Sequence, residues 1–280
     1  MSIANSSMLT ELSISVWTAQ TTDRTISDKV AADNNAGRDA GQYKKNLMAG
    51  TSARKKIADY AAGCRMWHNT RTLPWADRGA RLLPTSLFLD YKTEANIRKD
   101  EFNRMVEAFI SEYPTHVAAA QAHAGAMFNP ADYPSADEVY GKFGFRLVFA
   151  PVPMSGDFRI DAPANEMREL MEQYEVSMGE RVTEATKSLW DKMHTMLTGM
   201  STKLAATEKT RWYESFVGNA QEMCQMLTHL NVAQDPKLEA ARRQLEKVML
   251  GADIEDIKES PYVREAMKDK LDGILKDFAW

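Results

Sequence analysis

The sequence predicts an α+β protein, mostly α, made of a long antiparallel helical hairpin and a small three-stranded antiparallel sheet covered by helices. Three observations carry that expectation. After Pro163, Met167, Leu170, Tyr174, Met178, Val182, Leu189, Met193, Met196, Leu197, Met200 and Leu204 recur at helical spacing for about 40 residues, or ~60 Å of helix at 1.5 Å per residue. Two distant stretches, around Leu12 and around Phe143, alternate with the period of two that marks a strand with one buried face. Ser155-Gly156-Asp157 then supplies turn residues between the second stretch and Phe158-Arg159-Ile160, so a hairpin adds a third strand.

The elements follow in order. Leu12, Ile14 and Val16 alternate with Ser13 and Ser15 as the first strand, and TTDRTISDKVAADNN reads as a polar helix. From Thr51, Ile57, Tyr60, Ala61, Cys64, Trp67 and His68 define a helix ending near Thr70. Another runs from Glu94 to Tyr113, and Pro114 must break or restart it, because proline lacks the N–H and crowds the preceding turn. The alanine-rich THVAAAQAHAGAMF is helical by propensity. Ser135 and Glu138 have capping-box spacing, and Phe143, Phe145, Leu147 and Phe149 form the second strand. A helix longer than a domain of this size can cover needs a partner. Trp212, Phe216, Val217, Ala220, Met223, Cys224, Leu227 and Leu230 supply one by folding back as a hairpin or coiled coil. Asp235-Pro236 and Ser260-Pro261 start the last two helices. The expected division is a mixed body over 1–162 and the hairpin with C-terminal helices over 163–280.

Composition narrows the class. With 44% hydrophobic and 26% charged residues, the chain has enough apolar content for a core. No apolar run reaches the ~20 residues that span a bilayer, and the N-terminus lacks the basic-then-apolar order of a signal peptide. Cys64 and Cys224 sit in helical patterns without metal spacing and read as reduced, packed thiols of a cytoplasmic protein.

Catalytic signatures are missing. There is no Gly-x-Gly-x-x-Gly after a strand, no Gly-x-Ser-x-Gly elbow and no His-Glu-x-x-His. Gly50-Thr-Ser-Ala-Arg-Lys-Lys56 lacks the order of a phosphate-binding P-loop. His116 and His123 are seven apart on one helix, ~10 Å at 1.5 Å per residue, too far for one metal. Cys64 and His68 stand at i, i+4 without further ligands. No enzyme, metal or cofactor is expected. The methionines of the long hairpin read either as a plain core stripe or as an adaptable partner surface.

The strongest functional candidate is charge. From Ala36 to Leu82, ten Lys and Arg stand against Asp39, Asp59 and Asp77, giving +7. With −4 for the whole chain, the remainder carries −11. Such a segment can meet a polyanion or the acidic half of a neighbouring subunit. Lys44, Lys45, Arg54, Lys55, Lys56, Arg71, Arg78 and Arg81, interleaved with Tyr43, Tyr60, Trp67 and Trp75, are the candidate nucleic-acid contacts, since cations track phosphates and rings stack bases in single-strand binders. Tyr60 and Trp67 lie on the apolar stripe and so belong to the core. The loop Thr70–Ser86 has apolar feet, Leu73-Pro74-Trp75 and Leu82-Leu83-Pro84, around a charged tip, and reads first as a docked peg. Trp75, Trp212 and Phe216 are the candidate structural or interface anchors.

LTELSISVWTAQ, DAGQYKKNLM, TLPWADRGARLLP and FLDY together resemble an uncharacterised tailed-phage family, a domain of unknown function, over roughly the first half of the chain. Members are often encoded beside a MoxR-type AAA+ ATPase and a von Willebrand A-type protein. The resemblance implies a phage protein in the cytoplasm of an infected bacterial host, working with an ATPase or as an adaptor. It carries no catalytic residues. Two functions are therefore expected: a non-enzymatic protein that self-associates or docks an AAA+ ATPase, or a single-stranded nucleic-acid-binding accessory in phage recombination or replication. No membrane partner is expected.

Overall fold

In the computed structural model, which describes residues 3–76, 79–158, 160, 162–206, 215–250 and 252–278, one helical turn, α1 (Ile3–Ser6), leads into strand β1 (Ser7–Ser15). A two-stranded ribbon of β2 (Gln20–Asp23) and β3 (Tyr43–Asn46) flanks helix α2 (Arg24–Asp33). The Asp23 carboxylate caps α2 by accepting the Ile26 N–H at 3.0 Å. Helix α3 (Ala53–Arg71) is followed by β4 (Leu73–Pro74), β5 (Arg81–Pro84), α4 (Phe88–Ser111), α5 (Tyr113–Ala124), α6 (Ala136–Tyr140) and β6 (Gly144–Pro151). The helices that follow are α7 (Ala164–Ala205), α8 (Ser215–Leu230), α9 (Pro236–Met249), α10 (Ile254–Glu259) and α11 (Pro261–Asp277).

The mostly helical α+β class with a small antiparallel sheet is what the structure has, but two finer expectations change. The sheet is four-stranded, in the order β4-β5-β1-β6. Its extra strands come from the opening and closing feet of the Thr70–Ser86 loop, with Leu73 opposite Leu82 and Ser7 opposite Pro84. Buried Leu73, Leu82 and Leu83 give those feet a reason to pair, and the prolines are tolerated because Pro74 lies on the edge strand and Pro84 at a strand end. In place of a hairpin turn Ser155–Asp157 form a 3₁₀ turn, Phe158 packs edge-on against Tyr174, and Arg159 of the expected third strand lies outside the described residues.

The second correction concerns the hairpin. Helix α7 has the expected length, 42 residues, and α8 returns beside it, yet its most extensive neighbour is α11. The apolar face of α11, with buried Met267, Leu271 and Ile274, fits the α7 stripe and adds a hydrogen bond from Ser201 Oγ to Asp272 at 2.5 Å. A helix cluster of α7, α8, α9 and α11 takes the place of a two-helix coiled coil.

Contacts divide the chain into two units. One comprises 1–11, 69–91 and 148–280. Its core gathers Leu189, Met193 and Leu197 of α7, Leu227 and Leu230 of α8, Leu238 and Leu245 of α9, Leu271 of α11, and Leu73, Trp75 and Leu82 of the sheet edge. Trp190 Nε1 donates to the Asp235 cap of α9 at 3.1 Å. The other comprises 12–68 and 92–147, with Ile14, Trp17, Ile57, Cys64, Phe102, Val106, Phe109 and Phe145 inside. There Trp17, Phe109 and Tyr113 pack ring against ring at 6.0 to 6.4 Å. The Ser135–Glu138 capping box starts α6, and Pro114 sits in the first turn of α5, where its missing N–H costs nothing. Gly50 enters α3 at φ +82°, where a Cβ would also meet His123 at 3.2 Å. Both cysteines are buried thiols, and burial pushes that of Cys224 up to about 11.

Candidate functional site

The eight candidate cations do not converge on one surface. Lys45 Nζ lies 3.0 Å from Asp23 and 2.6 Å from Asp132, mostly buried, so its charge is spent inside the fold. Lys55 pairs with Asp59 one turn on, and Arg71 with Glu222 of α8 at 3.0 Å. Arg54 Nε donates to the Trp17 carbonyl at 2.8 Å. Lys44 and Lys56 are exposed, and neither ammonium pairs with another described residue. Arg78 and Trp212 lie outside the described residues. The aromatic rings interleaved with these cations are engaged too: Arg98 covers Trp67 at 4.9 Å, and Arg181 stands 5.8 Å over buried Trp75. Phe216 is buried in the core of its unit.

Arg81 belongs to a small electropositive construction at the carboxyl end of α3. Its guanidinium donates to Thr72 Oγ1 at 2.7 Å, the Thr72 carbonyl at 3.0 Å and the Asn69 carbonyl at 3.4 Å. Lys192, from α7, donates to the same carbonyls of Asn69 and Thr72, at 2.9 and 3.4 Å. The last carbonyls of a helix carry partial negative charge, and cations satisfy them well. Two cations on two carbonyls nevertheless repel one another, and no carboxylate bonds to either among the described residues. Burial first, and the Arg81 charge second, hold the Lys192 ammonium down at about 8. Sequence reasoning missed Lys192. A lone lysine on the flank of an apolar stripe gives no signal until the chain end it caps is located.

The most unusual surface is on α7. Met167, Met171, Tyr174, Met178, Val182, Ala185, Leu189, Met193, Met196, Met200 and Leu204 follow one another in steps of four, three and four, an 11-residue repeat. At 3.67 residues per turn, such a stripe runs nearly parallel to the helix axis. Its later part, from Ala185, is buried in the core shared with α8, α9 and α11, save that Met196 is only partly buried. Between Ala164 and Glu184 no residue is fully buried: Met167, Leu170, Met171, Tyr174, Met178 and Val182 are mostly covered but keep some exposure, and Val176 is 64% exposed. The flanks here carry Glu166, Glu169, Glu172, Glu175, Glu180 and Glu184 against Arg168 and Arg181, leaving four net negative charges. About 30 Å of helix therefore offers an acidic-edged apolar strip in register with one already packed.

No family model, curated protein sequence or solved structure matches the chain. Among the described residues, no three His, Cys, Asp or Glu side chains are grouped so as to hold a metal ion, and no helix is long and apolar enough to cross a membrane.

Proposed function

We propose that the protein is a non-enzymatic assembly component that associates with further copies of itself through the amino-terminal half of α7, in line with a phage adaptor working beside an AAA+ ATPase. One observation carries this reading: the 11-residue apolar repeat that is packed over Ala185–Leu204 continues, no longer fully buried, over Met167–Val182. Helices bury such stripes against other helices, because the apolar surface is more stable out of water. The acidic flanks favour cations on the opposing surface, and of the chain's own candidates Lys44 and Lys56 are exposed and unpaired among the described residues. A head-to-tail contact between copies, or a basic helix on an ATPase partner, would use the same strip. Light scattering over a range of protein and salt concentrations tests it. Mass should rise with concentration and fall with added salt, since exposed charges are screened. A mass that stays monomeric throughout, with no binding to a MoxR-type AAA+ ATPase, removes the proposal.

A further inference from the structure

We infer that Lys192 is a modification site, whose amine takes up carbon dioxide as a carbamate that the neighbouring Arg81 guanidinium holds. Lys192 lies in the packed half of α7, so the inference does not rest on the amino-terminal strip.

The geometry sets a problem that a carbamate solves. Lys192 Nζ donates to the carbonyls of Asn69 and Thr72 at 2.9 and 3.4 Å, and Arg81 Nη2 donates to the same two at 3.4 and 3.0 Å. Two cations that share both acceptors stand side by side and repel one another. Among the charged groups of the surrounding elements, Arg71 of α3 is paired with Glu222 of α8, and Arg81 is the one whose charge acts on Lys192. No carboxylate bonds to either cation among the described residues. Turning one of the two into an anion replaces a repulsion with an ion pair.

Donors for that anion are in place. Arg81 uses Nε on Thr72 Oγ1 and Nη2 on the two carbonyls, which leaves the hydrogens of Nη1 without an acceptor among the described residues. Nη1 is not sealed from solvent, and both side chains keep some exposure. A planar carbamate has the shape of a carboxylate and suits the guanidinium fork. Because Arg81 already donates to both carbonyls, neither loses its last donor when the Lys192 nitrogen gives up hydrogens.

Carbon dioxide reacts with the neutral amine. The nitrogen lone pair attacks the carbon, a C–N bond forms as one C=O π pair moves onto oxygen, and the nitrogen releases a proton to water. No oxidant, cofactor or leaving group is needed. Burial first, and Arg81 second, hold the Lys192 ammonium down at about 8. At about pH 7.5 roughly a quarter of the molecules then carry a free amine, against roughly one in a thousand for an ordinary lysine. Lys45 and Lys268, each set against carboxylates, are shifted the opposite way and keep their protons.

The test uses the full chain with heavy-nitrogen lysine, equilibrated near neutral pH with heavy-carbon bicarbonate and carbon dioxide and followed by carbon NMR. A carbamate carbon coupled to a lysine nitrogen should appear, and that coupling separates it from any carbamate on the amino terminus. Lys192→Arg keeps a cation on the two carbonyls but has no amine, and it should abolish the signal. Arg81→Met should weaken it by about tenfold or more, the size of one charge-assisted hydrogen bond, with thermal melts to show that the variant folds. In wild type the Arg81 Nε–H resonance should move as the carbamate forms, a readout that needs no variant. Absence of a lysine-coupled carbamate at high bicarbonate, or its survival in Lys192→Arg, would overturn the assignment. A stationary Arg81 resonance, or an undiminished signal in folded Arg81→Met, would overturn the part given to Arg81.

Discussion

Replacing Lys192 by methionine should remove a pH dependence of stability that the wild-type chain possesses. In the fold, burial and the neighbouring Arg81 charge hold the Lys192 ammonium at about 8, against an ordinary 10.5. Below pH 8 it is protonated in both the folded and unfolded states, and the folded state bears the cost of a desolvated charge. Between about pH 8 and 10.5 the folded chain has released that proton while the unfolded chain still binds it, so stability rises with pH. The gap corresponds to at most ~3 kcal/mol, and partial exposure of the side chain brings the expectation closer to ~1–2 kcal/mol. Urea midpoints at pH 7 and pH 10 measure this for both proteins, and the difference between their two pH responses cancels the other titrating groups. Wild type should gain over Lys192→Met on going to pH 10. Parallel pH responses would show that the ammonium is not held between the α3 carbonyls and Arg81 as described.

Other outcomes follow from the helix cluster. Arg242, nearly buried, bonds Glu239 twice and Glu246 once, and with Arg243 it holds the Glu239 carboxyl down at about 2. That stabilisation is present above about pH 4.5 and is lost as pH falls toward 2. Arg242→Met should therefore flatten the acid-unfolding curve in that window, as followed by circular dichroism. Leu197 lies in the same core with no exposure, so Leu197→Ala should cost ~2–5 kcal/mol in denaturant unfolding, whereas Leu250→Ala, at a 79% exposed position, should change little.

Local grammar was legible where one residue type has one job. Asp235-Pro236 and Ser260-Pro261 mark helix starts because capping oxygens and N1 prolines have few other uses, and α9 and α11 begin there. Period-two alternation located β1 and β6 for the same reason. Strand partners were less legible. Leu73 and Leu82 carry no alternation long enough to detect, and pairing is settled only when the loop folds back on itself. The choice between α8 and α11 as the main cover of α7 could not be read either, since both present apolar faces and only three-dimensional packing ranks them. The basic segment shows the same limit at the site. Ten cations are visible in one dimension, but Asp23, Asp132 and Glu222 are brought to them by the fold. Thr51 and His116, which the fold brings to 3.3 Å of one another, are 65 residues apart, so their contact had no sequence signal at all.

The central claim is that the less buried, amino-terminal half of the α7 stripe is where this protein meets another surface. Sedimentation velocity of wild type beside Met171→Glu/Met178→Glu tests it most directly, because both side chains keep some exposure and neither is among the fully buried residues of the core. Wild type should sediment as a concentration-dependent assembly, and the double variant as a monomer with an unchanged melting temperature. A wild-type monomer at every concentration, or a variant that assembles equally well, would contradict the claim.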